Sequence, residues 1–143
     1  MRNQAGPGAP EKLFVAKAVV FACAVCAGVH AGLVPAHLSE EPRLGVAFVV
    51  AVVLLAASVA ALTKWPGDRK IARAVALLLA GLIAGYAATR TTGVPWLAPD
   101  PEELDAVGLA TNVVEALGLA FALWLGQPGD HGRPSYTLKE VSR

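Results

Sequence analysis

Charge is scarce in this chain. Asp, Glu, Lys and Arg together make up 16 % of its 143 residues, where a soluble domain carries roughly a quarter. Cysteine is nearly absent, with two residues, which excludes a disulfide-stapled secreted scaffold. Aromatic residues amount to 6 %. What fills the space is aliphatic: 55 % of the chain is hydrophobic and the mean hydropathy is +0.54. That composition excludes soluble disorder, and the length leaves room for one domain. An integral membrane protein is what remains.

The apolar residues gather into four blocks, at about 13–34, 44–63, 71–89 and 106–126. Each approaches the ~20 residues with which an α-helix crosses a hydrocarbon core of about 30 Å. The expected fold is all-α, a four-transmembrane-helix antiparallel bundle. The net charge of +1 says little as a total, but its distribution says more. Arg2, Lys12, Lys17, Lys64, Arg69, Lys70, Arg73, Arg133, Lys139 and Arg143 fall on one side of that arrangement, and only Arg43 and Arg90 on the other. By the positive-inside rule this bias predicts a cell-membrane protein with both termini cytoplasmic. A signal peptide cleaved after Val29-His30-Ala31 is the competing reading, but the apolar run continues past that site.

Outside the blocks, residues 1–12 read as a flexible cytoplasmic lead, rich in Gly and Pro, and residues 127–143 as a disordered cytoplasmic tail. The stretch Pro35–Arg43 predicts a short hairpin connection, with Ser39 to Glu41 available as a helix cap and Pro42 in the first turn of the second helix. Asp100-Pro101-Glu102-Glu103 has the pattern of a helix start. Small residues four apart, at Ala24, Gly28 and Gly32, at Gly81 and Gly85, and at Gly118, Ala122 and Gly126, predict close helix–helix approach.

Polar groups inside apolar spans carry the functional signal. Asp105, Gly108, Asn112 and Glu115 share one helical face, and Glu115 falls about 15 Å below Asp105. A carboxyl at that depth is expensive and marks a site facing the protein interior. No Lys or Arg occurs at the same depth. A packing role, with a neutral Glu115 hydrogen-bonded to Asn112 or to a neighbouring helix, is the plainer alternative. Arg90 is expected either to pair with Glu102, Glu103 or Asp105, fixing the outer loop, or to hold an anionic ligand.

The first span offers a second stripe, Cys23, Cys26 and His30, followed by His37. If the first and fourth spans face each other, His30, His37, Glu40 and Cys26 join Asn112 and Glu115 in one outward-open cleft. Imidazole, thiolate and carboxylate suit copper or zinc. Against this, a buried cysteine is commonly a small hydrophobe and an interfacial histidine an anchor. A Cys23/Cys26 thiol–disulfide role lacks a second cysteine pair to pass electrons onward. A central carboxyl in four short spans also resembles the architecture of small multidrug-resistance transporters, although here the acid lies in the fourth span.

Three segments, His30-Ala-Gly-Leu-Val-Pro35-Ala-His37-Leu-Ser-Glu40, Arg90-Thr-Thr-Gly-Val-Pro95, and Glu103-Leu-Asp-Ala-Val-Gly108 with Glu115, resemble a family of small four-helix membrane proteins of high-GC Gram-positive bacteria. The resemblance runs from Val19 to Leu125 and implies the fold and membrane location without an activity. Where that family reads Pro-Glu-His, this chain has Pro35-Ala36-His37, one acid fewer for a metal site.

These readings predict a non-enzymatic binding or accessory protein of the lipid bilayer, with a cleft for a transition metal or small ligand. The alternative is a dimeric proton-coupled transporter using Glu115. A homodimer or a larger membrane complex is the expected partner. Nucleic acid is not expected, since membrane orientation accounts for the basic residues.

Overall fold

The computed structural model describes residues 9–127 except Ala98. They form four helices, α1 (Ala9–Glu40), α2 (Pro42–Lys64), α3 (Arg69–Thr91) and α4 (Ala106–Leu125). All four are long and apolar enough to cross a membrane. The expected tail beyond Gln127 and the first eight residues of the expected lead lie outside the described residues. Residues 9–12, read above as flexible, belong to α1 instead. Pro10 sits in its first turn, where a missing N–H costs nothing, and Glu11 lies at the positive end of the helix dipole.

The first connection also departs from expectation. The helix α1 does not stop at Val34 but runs through Pro35 to Glu40, and Glu41 alone joins it to α2. Pro35 forfeits one helical hydrogen bond, yet the last turn is held by its own side chains and by α2. His37 Nδ1–H donates to the Leu33 carbonyl (3.0 Å) and the Ser39 hydroxyl to that of Ala36 (2.7 Å). Ser39 therefore does not cap α2. Glu41 occupies that position without a side-chain cap, with Pro42 in the first turn as expected. Packing explains the tight joint: a Cβ on Gly45 would stand 2.6 Å from the Leu38 nitrogen and 2.7 Å from its Cα. Only glycine lets the first turn of α2 lie so close on the last turn of α1.

Asp68 caps α3, its carboxylate accepting from the backbone N–H of Lys70 (2.7 Å) and Ile71 (3.3 Å). Gly93, at φ 66°, turns the chain out of α3 through the left-handed region that favours glycine. The Asp100–Glu103 pattern starts no helix. Residues 101–105 stay non-helical, because the Glu102 N–H donates to the Thr89 carbonyl (3.0 Å) and its carboxylate goes to Arg90. Asp105 caps α4, accepting from Gly108 N–H at 2.6 Å. A tertiary contact has outcompeted a local signal.

The helix α1 packs on α2 and α4, and α4 on α3, while the α2–α3 seam is thin. Toward one end the four helices close on a continuous core that includes Val19, Cys23, Cys26, Leu55, Leu62 and Leu79. Toward the end that carries Glu41 and the 92–105 loop they spread around a cavity. Phe21, Val53, Leu77 and Leu117 are exposed on the outer surface, the inverse of a soluble bundle and what a lipid-facing surface requires. Of the small-residue stripes only that of α4 packs tightly: a Cβ on Gly118 would meet Ala22 Cβ at 3.0 Å. Gly28 and Gly32 face open space outside the bundle, and Gly81 and Gly85 line the cavity.

Candidate functional site

Helical spacing places the floor of the cavity. Asp105, Gly108, Asn112 and Glu115 all line it, as their common face requires. Glu115 is 2 % exposed, so its carboxyl is turned inward and away from the acyl chains. Facing it from α1 is His30, 8 % exposed, whose Nε2 lies 3.9 Å from Glu115 Oε1. That separation exceeds hydrogen-bond reach, and among the described residues no hydrogen bond involves the Glu115 carboxyl. The expected bond from Asn112 is absent. Its Nδ2–H donates instead to the Gly108 carbonyl of its own helix (3.2 Å).

His30 Nδ1 sits 2.8 Å from the Cys26 carbonyl. A carbonyl only accepts, so Nδ1 carries the hydrogen, and in the neutral ring Nε2 is left with a lone pair toward Glu115. His37 repeats the arrangement one layer further out through the Leu33 carbonyl. The Phe48 ring stands edge-on to both imidazoles, 5.2 Å from His30 and 4.6 Å from His37 between centroids. It packs α2 against both imidazoles.

At the mouth, Arg90 forks onto two carboxylates, Nη1 to Glu102 Oε2 at 2.5 Å and Nη2 to Asp105 Oδ2 at 2.9 Å. Its guanidinium lies 5.0 Å from the centre of the Tyr86 ring. Of the three partners expected, Glu102 and Asp105 are used and Glu103 is not. Arg43 ties the same loop to α2 by donating to the Trp96 carbonyl (3.1 Å). Two polar atoms of this wall, Tyr86 Oη and Arg90 Nε, are buried without a hydrogen-bond partner among the described residues.

The cavity measures about 790 Å³ and is lined by all four helices and the 92–105 loop rather than by α1 and α4 alone. Phe48 of α2 and Tyr86 of α3 are lining residues without a strong signal in the sequence. Tyr86 precedes Arg90 by one helical turn, a faint pointer, whereas Phe48 looks like any apolar residue of its span.

The four expected metal ligands are not gathered. His30, His37 and Glu40 line the cavity, but Cys26 does not. It is fully buried in the core beside Cys23, and both thiols are free. Among the described residues no three His, Cys, Asp or Glu side chains lie close enough together to hold a metal ion. His30 and His37 stand about two helical turns apart on α1, roughly 10 Å of rise, and the Phe48 ring packs against both imidazoles. The arrangement can instead surround a larger guest, with apolar walls, an acidic mouth and an unmatched carboxyl at the bottom. Comparisons of the chain with protein-family models, curated proteins and solved structures gave no match.

Proposed function

We propose that this chain is a multi-pass protein of the cell membrane, four antiparallel spans with both termini cytoplasmic. Its cavity opens outward and binds a small ligand. The protein is non-enzymatic in this reading and acts alone or as a subunit of a membrane complex. One observation carries the proposal: Glu115 is 2 % exposed, lines a cavity of about 790 Å³ and takes no hydrogen bond from any described residue. A buried carboxyl without a partner costs free energy, and a bundle built only for stability would have an apolar residue there. Charge supports the side of opening: among the described residues Arg43 and Arg90 are the basic residues at the cavity end, against Lys12, Lys17, Lys64, Arg69, Lys70 and Arg73 toward the other. The resemblance to small four-helix membrane proteins of high-GC Gram-positive bacteria agrees with this arrangement.

Thiol labelling tests the reading. With Cys23 and Cys26 replaced by Ala, Asn112→Cys on the cavity wall should react with a membrane-impermeant maleimide added outside intact cells. Val113→Cys, on the exposed outer face of the same turn, should not. Labelling of Asn112→Cys only after permeabilisation would contradict the proposal.

A second reading, a proton-coupled transporter working as a dimer, is favoured by the 3.9 Å gap between His30 and Glu115, wide enough for one bridging water or exchangeable group. It requires Glu115→Gln to abolish proton-linked flux in vesicles.

A further inference from the structure

We propose that the cavity takes an organic ammonium ion bearing N–H groups, its charged head held between Glu115 and His30 and its apolar body against the Phe48 wall. This inference rests on the cavity being a binding site open to the outside.

Sign comes first. Six carboxylates line the cavity, those of Glu40, Glu41, Glu102, Glu103, Asp105 and Glu115, against the single guanidinium of Arg90. Arg90 is already committed to Glu102 and Asp105. An anionic guest meets repulsion and no free cation among the described lining residues. A cationic guest supplies the countercharge that Glu115 lacks inside its own span.

Hydrogen-bonding character is the second, independent observation. At the floor two unengaged acceptors face each other, the Glu115 carboxyl and His30 Nε2. Tyr86 Oη and Arg90 Nε, unpartnered among the described residues, lie nearer the mouth, beside Gly108 and the 92–105 loop. Among the described residues the Glu115 carboxyl receives no hydrogen bond, His30 Nε2 presents a lone pair because Nδ1–H is spent on the Cys26 carbonyl, and Asn112 spends one of its two N–H donors on the Gly108 carbonyl, keeping the other and its Oδ1. Two acceptors 3.9 Å apart suit one nitrogen that donates to both over hydrogen bonds of about 2.8–3.0 Å. A quaternary ammonium has no hydrogen to give, and a bare metal ion finds no group of three ligands.

Size and walls complete the class. A volume of about 790 Å³ far exceeds one inorganic ion and falls within the range of small-molecule sites. Leu33, Leu44, Ala47, Phe48, Ala51 and Leu82 form its apolar surface. Aromatic rings beside the acceptors add attraction for a cation.

The test is a titration of the full chain in lipid nanodiscs, with empty nanodiscs as blank, against four probes of similar body: 2-phenylethylammonium, its N,N,N-trimethyl derivative, 2-phenylethanol and phenylacetate. The primary amine should bind at least about tenfold more tightly than each of the other three. Glu115→Gln should erase that advantage while the thermal unfolding temperature shows a folded protein. If that variant does not fold, the exposed pair Glu40→Gln with Glu41→Gln reads the same preference and should shrink the amine's lead. Equal or tighter binding of the alcohol, the acid or the quaternary ion overturns the proposal, as does an amine affinity that Glu115→Gln leaves unchanged. Absence of binding by all four probes also overturns it. If Asn112→Cys is still labelled from outside in that case, the ligand class has failed and the outward cavity has not.

Discussion

Glu115 Oε1 and His30 Nε2 face each other across 3.9 Å, too far for a hydrogen bond and too near for either group to ignore the other. The two atoms belong to helices separated by most of the chain. Each is held from its own side: His30 by the Cys26 carbonyl, and Glu115 by the packing of α4, whose Gly118 lies against Ala22 of α1. The relationship is one of paired acceptors, and it makes the cavity floor a place where the protein's own groups leave something unmet.

If Glu115 served only to bind helices together, replacing it with an apolar residue would weaken the bundle. The present account expects the opposite. Glu115→Leu, which removes a buried unmatched carboxyl and fills similar volume, should leave the unfolding temperature in detergent unchanged or raise it, since such exchanges are often neutral or stabilising. Ligand binding should disappear in the same variant. A fall in unfolding temperature equivalent to about 2 kcal/mol or more would return Glu115 to a packing role.

The joint between α1 and α2 makes a sharper prediction. A Cβ at position 45 would lie 2.6 Å from the backbone nitrogen of Leu38, and backbone cannot swing aside as a side chain can. Gly45→Ala should cost about 1–3 kcal/mol in thermal or denaturant unfolding. Gly28→Ala, whose added methyl meets nothing within 4 Å, should change nothing in the isolated protein.

Arg90 and Asp105 are coupled, and a double-mutant cycle should show it. Asp105→Asn keeps a good helix cap and loses the ion pair. Asp105→Ala loses both, for a further cost of about 1 kcal/mol. Arg90→Lys should not restore the loop, because one ammonium cannot reproduce the fork onto Glu102 and Asp105. Limited proteolysis within residues 92–105 reads the loosened loop, and equal cleavage of the wild type and Arg90→Lys would contradict the assignment.

Some of this was legible in the residues and some was not. The four spans follow from the hydropathy blocks, and the inward face of α4 from the spacing of Asp105, Asn112 and Glu115, because polar residues in an apolar helix mark its interior side. The neighbours opposite that face were not legible throughout. The stripe of α1 announces itself through His30, but the polar residues in the apolar run of α2, Ser58 and Thr63, do not line the cavity, so nothing distinguishes Phe48 from its outward-facing neighbours. The ends moved for a different reason. Pro35 and the Asp100–Glu103 pattern are local signals, overridden by contacts distant in sequence: Gly45 against Leu38, and Arg90 with the Thr89 carbonyl against Glu102.

Copper and zinc should be dispensable. The expected donors His30, His37, Glu40 and Cys26 are not brought together, with Cys26 fully buried in the core. A strong chelator should therefore leave the unfolding temperature where it was. A shift beyond the scatter of the measurement, reversed by adding back zinc or copper, would reopen the metal reading.

The central claim is an acid at the floor of an outward-open, cation-preferring cavity, and the rate of modification at that position tests it most directly. Glu115→Cys, with Cys23 and Cys26 replaced by Ala, is treated from outside with cationic trimethylammonioethyl or anionic sulfonatoethyl methanethiosulfonate, each rate normalised to a free thiol. The account predicts reaction from outside with both reagents, the cationic one faster by about tenfold. A thiol that reacts only from the cytoplasmic side, or one that favours the anion, would contradict it.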